Sequence, residues 1–308
     1  MPDDSISVHE GAAAAWQARH WISRDGLRLF YRDYAGPSDR PPIVCLPGLT
    51  RNSRDFEDLA NRYAGRFRVI APDFRGRGMS ERDPQPERYL PPTYAADVLQ
   101  LLDELEIDRA ILVGTSLGGL VTMLIAAMQP QRIAAAILND VGPEIDQSGI
   151  DRIRSYVGKG TRFRDWDEAA DYIAEVSRGL PVANSHDDWL RAARRICTDD
   201  GDEIIFDYDM AIAEPFNQRN DGAAPAFDLW PLYKKLEGRP LLIVRGELSD
   251  LLSPTAAQAM VEALPEAELA IVPGVGHAPE LNEPEAVAAI DRLLDRAVAA
   301  DQHRGAEA

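Results

Sequence analysis

The feature that most constrains the fold is a series of short apolar runs that alternate with segments of helical periodicity. Six runs are apolar enough to be buried strands of a parallel sheet, namely residues 43–46, 67–71, 110–113, 133–138, 241–244 and 269–272. Two further runs, 19–23 and 27–34, flank the turn signal Arg24-Asp25-Gly26 and predict an antiparallel hairpin at the sheet edge. Because helical patterns such as 94–105 lie between most runs, we predict an α/β protein with an eight-stranded, mostly parallel sheet and flanking helices.

The regular alternation breaks between residues 142 and 238. That segment has helix-like pieces at 168–178 and 187–197, several Gly and Pro residues, and no run apolar enough for a central strand. We predict an insertion after the sixth strand that folds as a helical cap over the sheet. The predicted organisation is a core of 16–141 and 239–300, a cap of 142–238, and frayed termini at 1–15 and 301–308.

Composition narrows the range of partners. The 308 residues include 33 basic and 51 acidic ones, and the net charge of −18 repels phosphate backbones and anionic lipid head groups. Residues 1–15 lack the positive start of a signal peptide, and no apolar run approaches the ~18 residues that cross a bilayer. Cys45 and Cys197 have no neighbours that suggest a metal site or a disulfide. We expect a cytoplasmic protein with no nucleic-acid or membrane partner, and the sequence leaves monomer or homodimer open.

A serine lies at a predicted strand-to-helix turn. The apolar run at 110–113 is followed by Gly114-Thr115-Ser116-Leu117-Gly118-Gly119, and apolar residues then recur at helical spacing. A sharp turn flanked by small residues pushes the hydroxyl out of the chain toward a base, which a weak nucleophile such as serine needs. The pattern predicts that Ser116 is a nucleophile.

A histidine follows the last predicted strand. Ligands of open α/β sheets bind at the carboxyl ends of the strands, and the glycine-rich loop 273–279 presents His277 at such an end. A serine nucleophile needs a base whose pKa is near neutrality, and histidine is the usual one. We therefore predict that His277 is the general base.

The third catalytic group should be a carboxylate that fixes the imidazole tautomer. Asp250, in the loop after the run 241–244, is our first choice, and the chain order is then serine, acid, histidine. Two alternatives stay open. Glu247 lies in the same loop, and Asp140 follows the run 133–138, where it can instead shape the exit into the insertion.

Two backbone donors should face the developing oxyanion. The amide of Leu117 is one candidate, because it lies at a helix N-terminus and gains from the helix dipole. The amide of Leu49 is the other, because Gly48 permits a close backbone turn after the third predicted strand.

These residues give the sequence a clear resemblance to the α/β-hydrolase family, and to its branch with a cap inserted after the sixth strand. The resemblance runs over about 19–298 and rests on four ordered motifs: the Pro-Gly turn at 47–49, the segment 73–80, the elbow around Ser116 and the Gly-x-Gly-His-x-Pro loop around His277. Two departures are visible. Pro47 stands where many members have His, and Asp250 follows Gly246 by one residue more than the usual Gly-x-x-Asp spacing, which keeps Glu247 in contention.

The resemblance implies a serine hydrolase that cleaves a carboxylic ester or lactone with a small to medium apolar body, with no cofactor or metal. Carbon-carbon bond hydrolysis of a diketone and perhydrolase activity are alternatives on the same three residues. A small-molecule receptor is an alternative from another class, since some members with this fold bind without appreciable hydrolysis. Dehalogenase and epoxide hydrolase chemistry is disfavoured, because those members have an aspartate where this chain has Ser116.

Overall fold

The computed structural model describes residues 15–176, 185–218 and 228–307. Its strands in chain order are β1 (Trp16–Ile22), β2 (Arg28–Tyr34), β3 (Ile43–Leu46), β4 (Val69–Pro72), β5 (Ala110–Thr115), β6 (Ile133–Asn139), β7 (Arg162–Phe163), β8 (Cys197–Asp199), β9 (Ile204–Phe206), β10 (Leu241–Gly246) and β11 (Glu268–Val272). Eight of them form one sheet in the order β1-β2-β4-β3-β5-β6-β10-β11. Strand β2 is antiparallel to β1 and β4, and the other neighbours are parallel. The predicted eight-stranded α/β sheet is confirmed.

The helices in chain order are α1 (Glu57–Tyr63), α2 (Pro91–Glu104), α3 (Leu117–Met128), α4 (Gln147–Tyr156), α5 (Trp166–Val176), α6 (His186–Ile196), α7 (Ala213–Gln218), α8 (Trp230–Tyr233), α9 (Pro254–Ala263) and α10 (Pro284–Glu307). The frayed end predicted for 301–308 is therefore helical through Glu307. Part of the reason is an ion pair, since Arg109 Nη1 donates to Asp301 Oδ1 at 2.9 Å and ties this turn to the start of β5. A frayed start was predicted for 1–15, and residues 1–14 of that range lie outside the described residues.

The central strands β3, β4, β5, β6 and β10 bury both of their faces, which explains why the sequence shows continuous apolar runs there. In β3, Val44 and Leu46 face a core that also includes residues of α2 and α3. Ile43 and Cys45 face a second core, which includes residues of α1 and α10. Helices on both faces leave the carboxyl ends of the parallel strands as the open edge of the sheet, and this edge carries the candidate site.

Residues 142–238, the insertion predicted from the sequence, lie between β6 and β10 in the chain and are called the inserted segment below. It includes helices α4 to α8, of which α5 and α6 overlap the two predicted helix-like pieces, but it is not purely helical. Strands β7, β9 and β8 form a small antiparallel sheet, which packs with α5 and α6 around buried residues such as Phe163 and Ile204. Strands of two or three residues are too short to show a period of two, so the sequence pattern did not reveal them.

The elbow between β5 and α3 brings the sheet and a helix into close contact. A Cβ atom on Gly118 would lie 2.0 Å from the backbone carbonyl oxygen of Leu46, and one on Gly114 would lie 2.4 Å from the backbone oxygen of Gly118. Real side-chain atoms do not approach a backbone oxygen so closely, and neither the strand nor the helix can move without disturbing the core. Glycine at these two positions is therefore a requirement of the fold.

We predict that Gly118→Ala lowers the free energy of unfolding by about 3 kcal/mol, because the added methyl group overpacks a rigid strand-helix contact. The matched control is Gly26→Ala, since a Cβ there meets no atom within 4 Å and only the positive φ of +92° is strained. That variant should lose about 1 kcal/mol. Urea unfolding midpoints measure both changes. Equal losses in the two variants would show that the close approach at Gly118 is not tight.

Candidate active site

Ser116 lies at the junction of β5 and α3 in a conformation that side chains rarely adopt. Its φ is 52° and its ψ is −113°. The surrounding structure holds this strained backbone, because the Ser116 amide donates to the Asn139 carbonyl oxygen at 3.0 Å and the Ser116 carbonyl oxygen accepts from the amides of Gly119 and Leu120. The predicted serine elbow is therefore present, with the hydroxyl directed toward the carboxyl edge of the sheet.

His277, in the loop after β11, meets the serine. Its imidazole joins two groups, since Nδ1 is 2.7 Å from Asp140 Oδ2 and Nε2 is 3.0 Å from Ser116 Oγ. An ionised carboxylate can only accept hydrogen bonds, so Nδ1–H donates a hydrogen bond to Asp140. The unprotonated Nε2 then accepts a hydrogen bond from the Ser116 hydroxyl. The side chain of His277 is 10% exposed and that of Asp140 is fully buried. The chain of hydrogen bonds is therefore shielded from water along most of its length.

Asp140 follows β6 directly and is held from two sides. Its amide donates to the Val244 carbonyl oxygen of β10 at 2.8 Å, and its Oδ1 accepts from the Gly246 amide at 3.1 Å. Its backbone, like that of Ser116, has a positive φ, here 56°. These contacts turn the carboxylate across the end of β10 and leave Oδ2 for the imidazole.

The prediction that Asp250 contacts His277 is wrong. The Asp250 carboxylate forms a two-pronged ion pair with the guanidinium of Arg152 in α4, where Nη2 donates to Oδ1 at 2.8 Å. The Arg152 hydrogen bonds hold the pKa of the Asp250 carboxyl below its usual range. The physical reason is that both oxygens of the Asp250 carboxylate accept hydrogen bonds from the permanently charged Arg152 guanidinium of the inserted segment, so the carboxylate is directed away from the imidazole.

Glu247, the other alternative in that loop, is also directed elsewhere. Its Oε2 accepts from the amide of Gly274 at 2.8 Å, and its own amide donates to the Val272 carbonyl oxygen at 2.9 Å. It thus fastens the base of the loop that carries His277. Asp140, which the sequence left as the third possibility, is the carboxylate that contacts the imidazole.

The sequence reasoning missed Asn139, the last residue of β6. Its Nδ2 donates to Thr115 Oγ1 at 3.1 Å and to the Pro279 carbonyl oxygen at 2.8 Å, so one buried amide links the serine elbow to the histidine loop. A polar residue at the end of an apolar strand was the available signal. The role of Asn139 in linking the two loops depends on which strands are neighbours in the sheet, and the order of the strands cannot be read directly from the sequence.

Of the two amides predicted to face an oxyanion, that of Leu117 follows Ser116 directly in the chain, and that of Leu49 belongs to the turn after β3. A Cβ on Gly48 would be 3.9 Å from the Cβ of Ser116, so the turn after β3 approaches the elbow closely. Arg51 donates its amide hydrogen to the Gly48 carbonyl oxygen at 3.2 Å. In a trans peptide the carbonyl and the following N–H point in opposite directions, so the Leu49 N–H points away from Arg51. Among the described residues, neither the Leu49 nor the Leu117 amide donates to another backbone group.

Two ion pairs lie next to this turn. Arg51 pairs with Asp55 through two hydrogen bonds of 2.7 Å, and Arg54 Nη2 donates to Asp207 Oδ2 of the inserted segment at 2.6 Å. Arg54 Nε also donates to the Arg195 carbonyl oxygen at 3.0 Å. These contacts fix the inserted segment against the carboxyl edge of the sheet, next to the serine.

Comparisons with known proteins agree with this fold. The sequence profile of the Alpha/beta hydrolase family matches residues 43–290. A crystal structure of an alpha/beta hydrolase from Novosphingobium aromaticivorans DSM 12444 superposes with a TM-score of 0.87 at 51% identity, covering 93% of this chain and 100% of that one. The chain therefore belongs to the α/β-hydrolase family.

Two relatives that align over most of the chain are named as hydrolases. A 3-hydroxybutyrate-oligomer hydrolase of Cupriavidus necator is 35% identical over 274 residues, which cover 87% of this chain and 93% of that protein. A 2-(acetamidomethylene)succinate hydrolase of Mesorhizobium japonicum is 30% identical over 258 residues, covering 83% of this chain and 88% of that protein. These likenesses support a hydrolase. In the part of the chain that the structure describes, no helix is long and apolar enough to cross a membrane.

We predict that a fluorophosphonate labels Ser116, and that Asp140→Asn slows the labelling by about 10³-fold or more, because the imidazole loses its orienting carboxylate. Mass spectrometry of the labelled peptide, followed over time, measures the rate. Asp250→Asn and Glu247→Gln are the matched controls and should label at nearly the rate of the unmodified protein. Slow labelling in Asp250→Asn with normal labelling in Asp140→Asn would contradict the hydrogen bonds described above.

Proposed function

We propose that the protein is a serine hydrolase that cleaves a carboxylic ester or lactone through an acyl-enzyme intermediate. The observation that carries the proposal is the unbroken line of hydrogen bonds from Ser116 Oγ through His277 to the buried Asp140 carboxylate. A nucleophile, a base and an orienting acid in this geometry are what acyl transfer requires.

In the proposed first half-reaction, Ser116 Oγ attacks the ester carbonyl carbon and its proton passes to Nε2 of His277. The tetrahedral intermediate collapses, the bond to the leaving oxygen breaks, and the proton on Nε2 goes to that oxygen. Asp140 stabilises the imidazolium that exists between these two transfers. The acyl group remains on Ser116.

In the second half-reaction, a water molecule gives its proton to Nε2 as its oxygen bonds to the acyl carbon. Collapse of this second tetrahedral intermediate breaks the bond to Ser116 Oγ, which takes the proton back from His277. The Leu49 and Leu117 amides would face the oxyanion in both halves. Proximity of Gly48 to the Ser116 side chain supports this assignment.

For the substrate we propose an ester of a short hydroxy acid or a similar small acyl group. The relative from Cupriavidus necator is named for hydrolysis of 3-hydroxybutyrate oligomers, whose units an ester bond joins, and it aligns over nearly the whole chain. A second relative is named for hydrolysis of 2-(acetamidomethylene)succinate. Both names describe small carboxylic acids, so a panel of substrates should centre on that class.

The experiment uses p-nitrophenyl esters of graded chain length, 3-hydroxybutyrate oligomers, a lactone and a vinylogous diketone. We expect turnover of the esters, and Ser116→Ala should lower kcat by about 10⁶-fold. Cleavage of the diketone alone would favour carbon-carbon bond hydrolysis. Tight binding of the panel without turnover by the unmodified protein would favour a receptor.

A partition experiment tests the acyl-enzyme directly. Phenyl and p-nitrophenyl esters of one acyl group are hydrolysed in the presence of methanol, and the ratio of acid to methyl ester is measured. We expect the same ratio for both esters, because both reactions pass through the same acyl group on Ser116. A ratio that depends on the leaving group would contradict the covalent intermediate.

A further inference from the structure

We propose that Arg77 is a positioning residue that orients the turn carrying the Leu49 amide, and that it connects this turn to the inserted segment. The inference rests on the proposed function, since it assigns a role in oxyanion binding. Arg77 lies in the loop after β4 and touches none of Ser116, His277 or Asp140 through a hydrogen bond among those found in the described residues.

The first observation is where the guanidinium of Arg77 donates. Its Nε donates to the Leu49 carbonyl oxygen at 2.9 Å, and its Nη1 donates to the Arg75 carbonyl oxygen at 2.7 Å and to Tyr94 Oη at 2.9 Å. The guanidinium carbon also lies 4.7 Å from the centre of the Tyr94 ring. The side chain is fully buried, and its Nη2 has no hydrogen-bond partner among the described residues.

The neighbouring arginine shows how unusual this environment is. Arg75 is equally buried, but its guanidinium pairs with three carboxylates, those of Asp25, Asp83 and Asp97. Within the described ranges, Arg77 forms no ion pair, and its partners are two backbone oxygens and a phenol. Burying a cation without a neighbouring carboxylate lowers the stability of the folded protein. An apolar side chain of similar size would therefore stabilise the fold more than Arg77 if packing were its only role. We therefore attribute the role of Arg77 to the position of its hydrogen-bond donors rather than to its charge.

The role of Arg77 follows from the geometry of the two peptide groups on either side of the Leu49 Cα. The Leu49 carbonyl and the Leu49 N–H belong to the two peptide planes that meet at the Leu49 Cα. Arg77 holds the second plane through the carbonyl, and the Arg51 amide holds the first plane through the Gly48 carbonyl. With both planes held, the two backbone rotations at Leu49 are fixed, and the N–H keeps one direction relative to Ser116. Such fixed donors are what stabilises a developing oxyanion, because they need no reorganisation during the reaction.

The same loop also pairs with the inserted segment. The amide of Gly78 donates to the Asp207 carbonyl oxygen at 3.1 Å, the amide of Asp209 donates to the Gly76 carbonyl oxygen at 2.7 Å, and Arg77 and Tyr208 form a β-bridge between them. Arg77 therefore contacts the inserted segment through its backbone and the Leu49 turn through its side chain. A shift of the inserted segment at this point would move the Leu49 carbonyl as well.

The test compares Arg77→Met with Arg75→Lys in the full-length protein. The first removes the donor to Leu49 and keeps an apolar stem of similar length. The second disturbs a buried arginine of the same loop whose side-chain hydrogen bonds, among the described residues, go to Asp25, Asp83 and Asp97 and not to Leu49. We measure kcat, KM and the affinity for a trifluoromethyl ketone, which forms a tetrahedral adduct with the serine and places an oxyanion at the two amides.

For Arg77→Met we expect kcat to fall about 100-fold, the affinity for the ketone to fall by a similar factor, and KM to change little. Arg75→Lys should unfold at a lower urea concentration but keep kcat and the affinity for the ketone. A role in folding alone would lower stability without weakening the ketone adduct selectively. A kcat within about tenfold of the unmodified protein, or an unchanged affinity for the ketone, would overturn the proposal.

If Arg77→Met does not fold, Tyr94→Phe replaces it, because it removes only the phenol that holds Nη1. We expect parallel losses of kcat and of affinity for the ketone, smaller than those for Arg77→Met, and no parallel loss would overturn the proposal. Failure of the proposed function is distinguishable, since it leaves the unmodified protein without turnover, whereas failure of this inference leaves an active protein that is insensitive to these changes.

Discussion

The candidate site depends on one buried carboxylate. Asp140 accepts hydrogen bonds from the Gly246 amide through one oxygen and from His277 through the other, and its own amide is bound to Val244 of β10. The end of β6, the end of β10 and the histidine loop therefore meet at a single side chain. A fully buried carboxylate is tolerated only because both of its oxygens are satisfied, and the proton on the imidazole is one of the two donors that satisfy them.

The neighbouring backbone is arranged around this group. Ser116 and Asp140 both have positive φ angles, and each follows a strand of the sheet directly. The pairing of Thr115 with Asn139 places these two strand ends side by side. Strain of this kind costs about 1–3 kcal/mol at each residue and persists only where the surroundings fix the backbone. Here the buried parallel strands, the Asn139 amide and the close contact at Gly118 do so.

Much of this arrangement could be predicted from the sequence. Six strands were visible because buried parallel strands are continuous apolar runs, and the hairpin of β1 and β2 was visible because of its turn residues. The elbow and the histidine loop were visible because their glycines are local signals. The carboxylate that contacts His277 could not be predicted, because carboxylates follow both β6 and β10 in the sequence. Only the pairing of these strands and the position of Arg152 decide which carboxylate reaches the imidazole. The short strands of the inserted segment were missed for lack of length. The helical extension of α10 was missed because its ion pair with Arg109 is distant in the chain.

The most direct measurement is the tautomer of His277, read from ¹⁵N chemical shifts of protein labelled in its histidines. The hydrogen bond to Asp140 predicts that the neutral imidazole carries its proton on Nδ1 in the unmodified protein and in Asp250→Asn. In Asp140→Asn the side-chain amide can present its NH₂ group to Nδ1, and the proton should move to Nε2. A tautomer that changes in Asp250→Asn and stays on Nδ1 in Asp140→Asn would contradict the account.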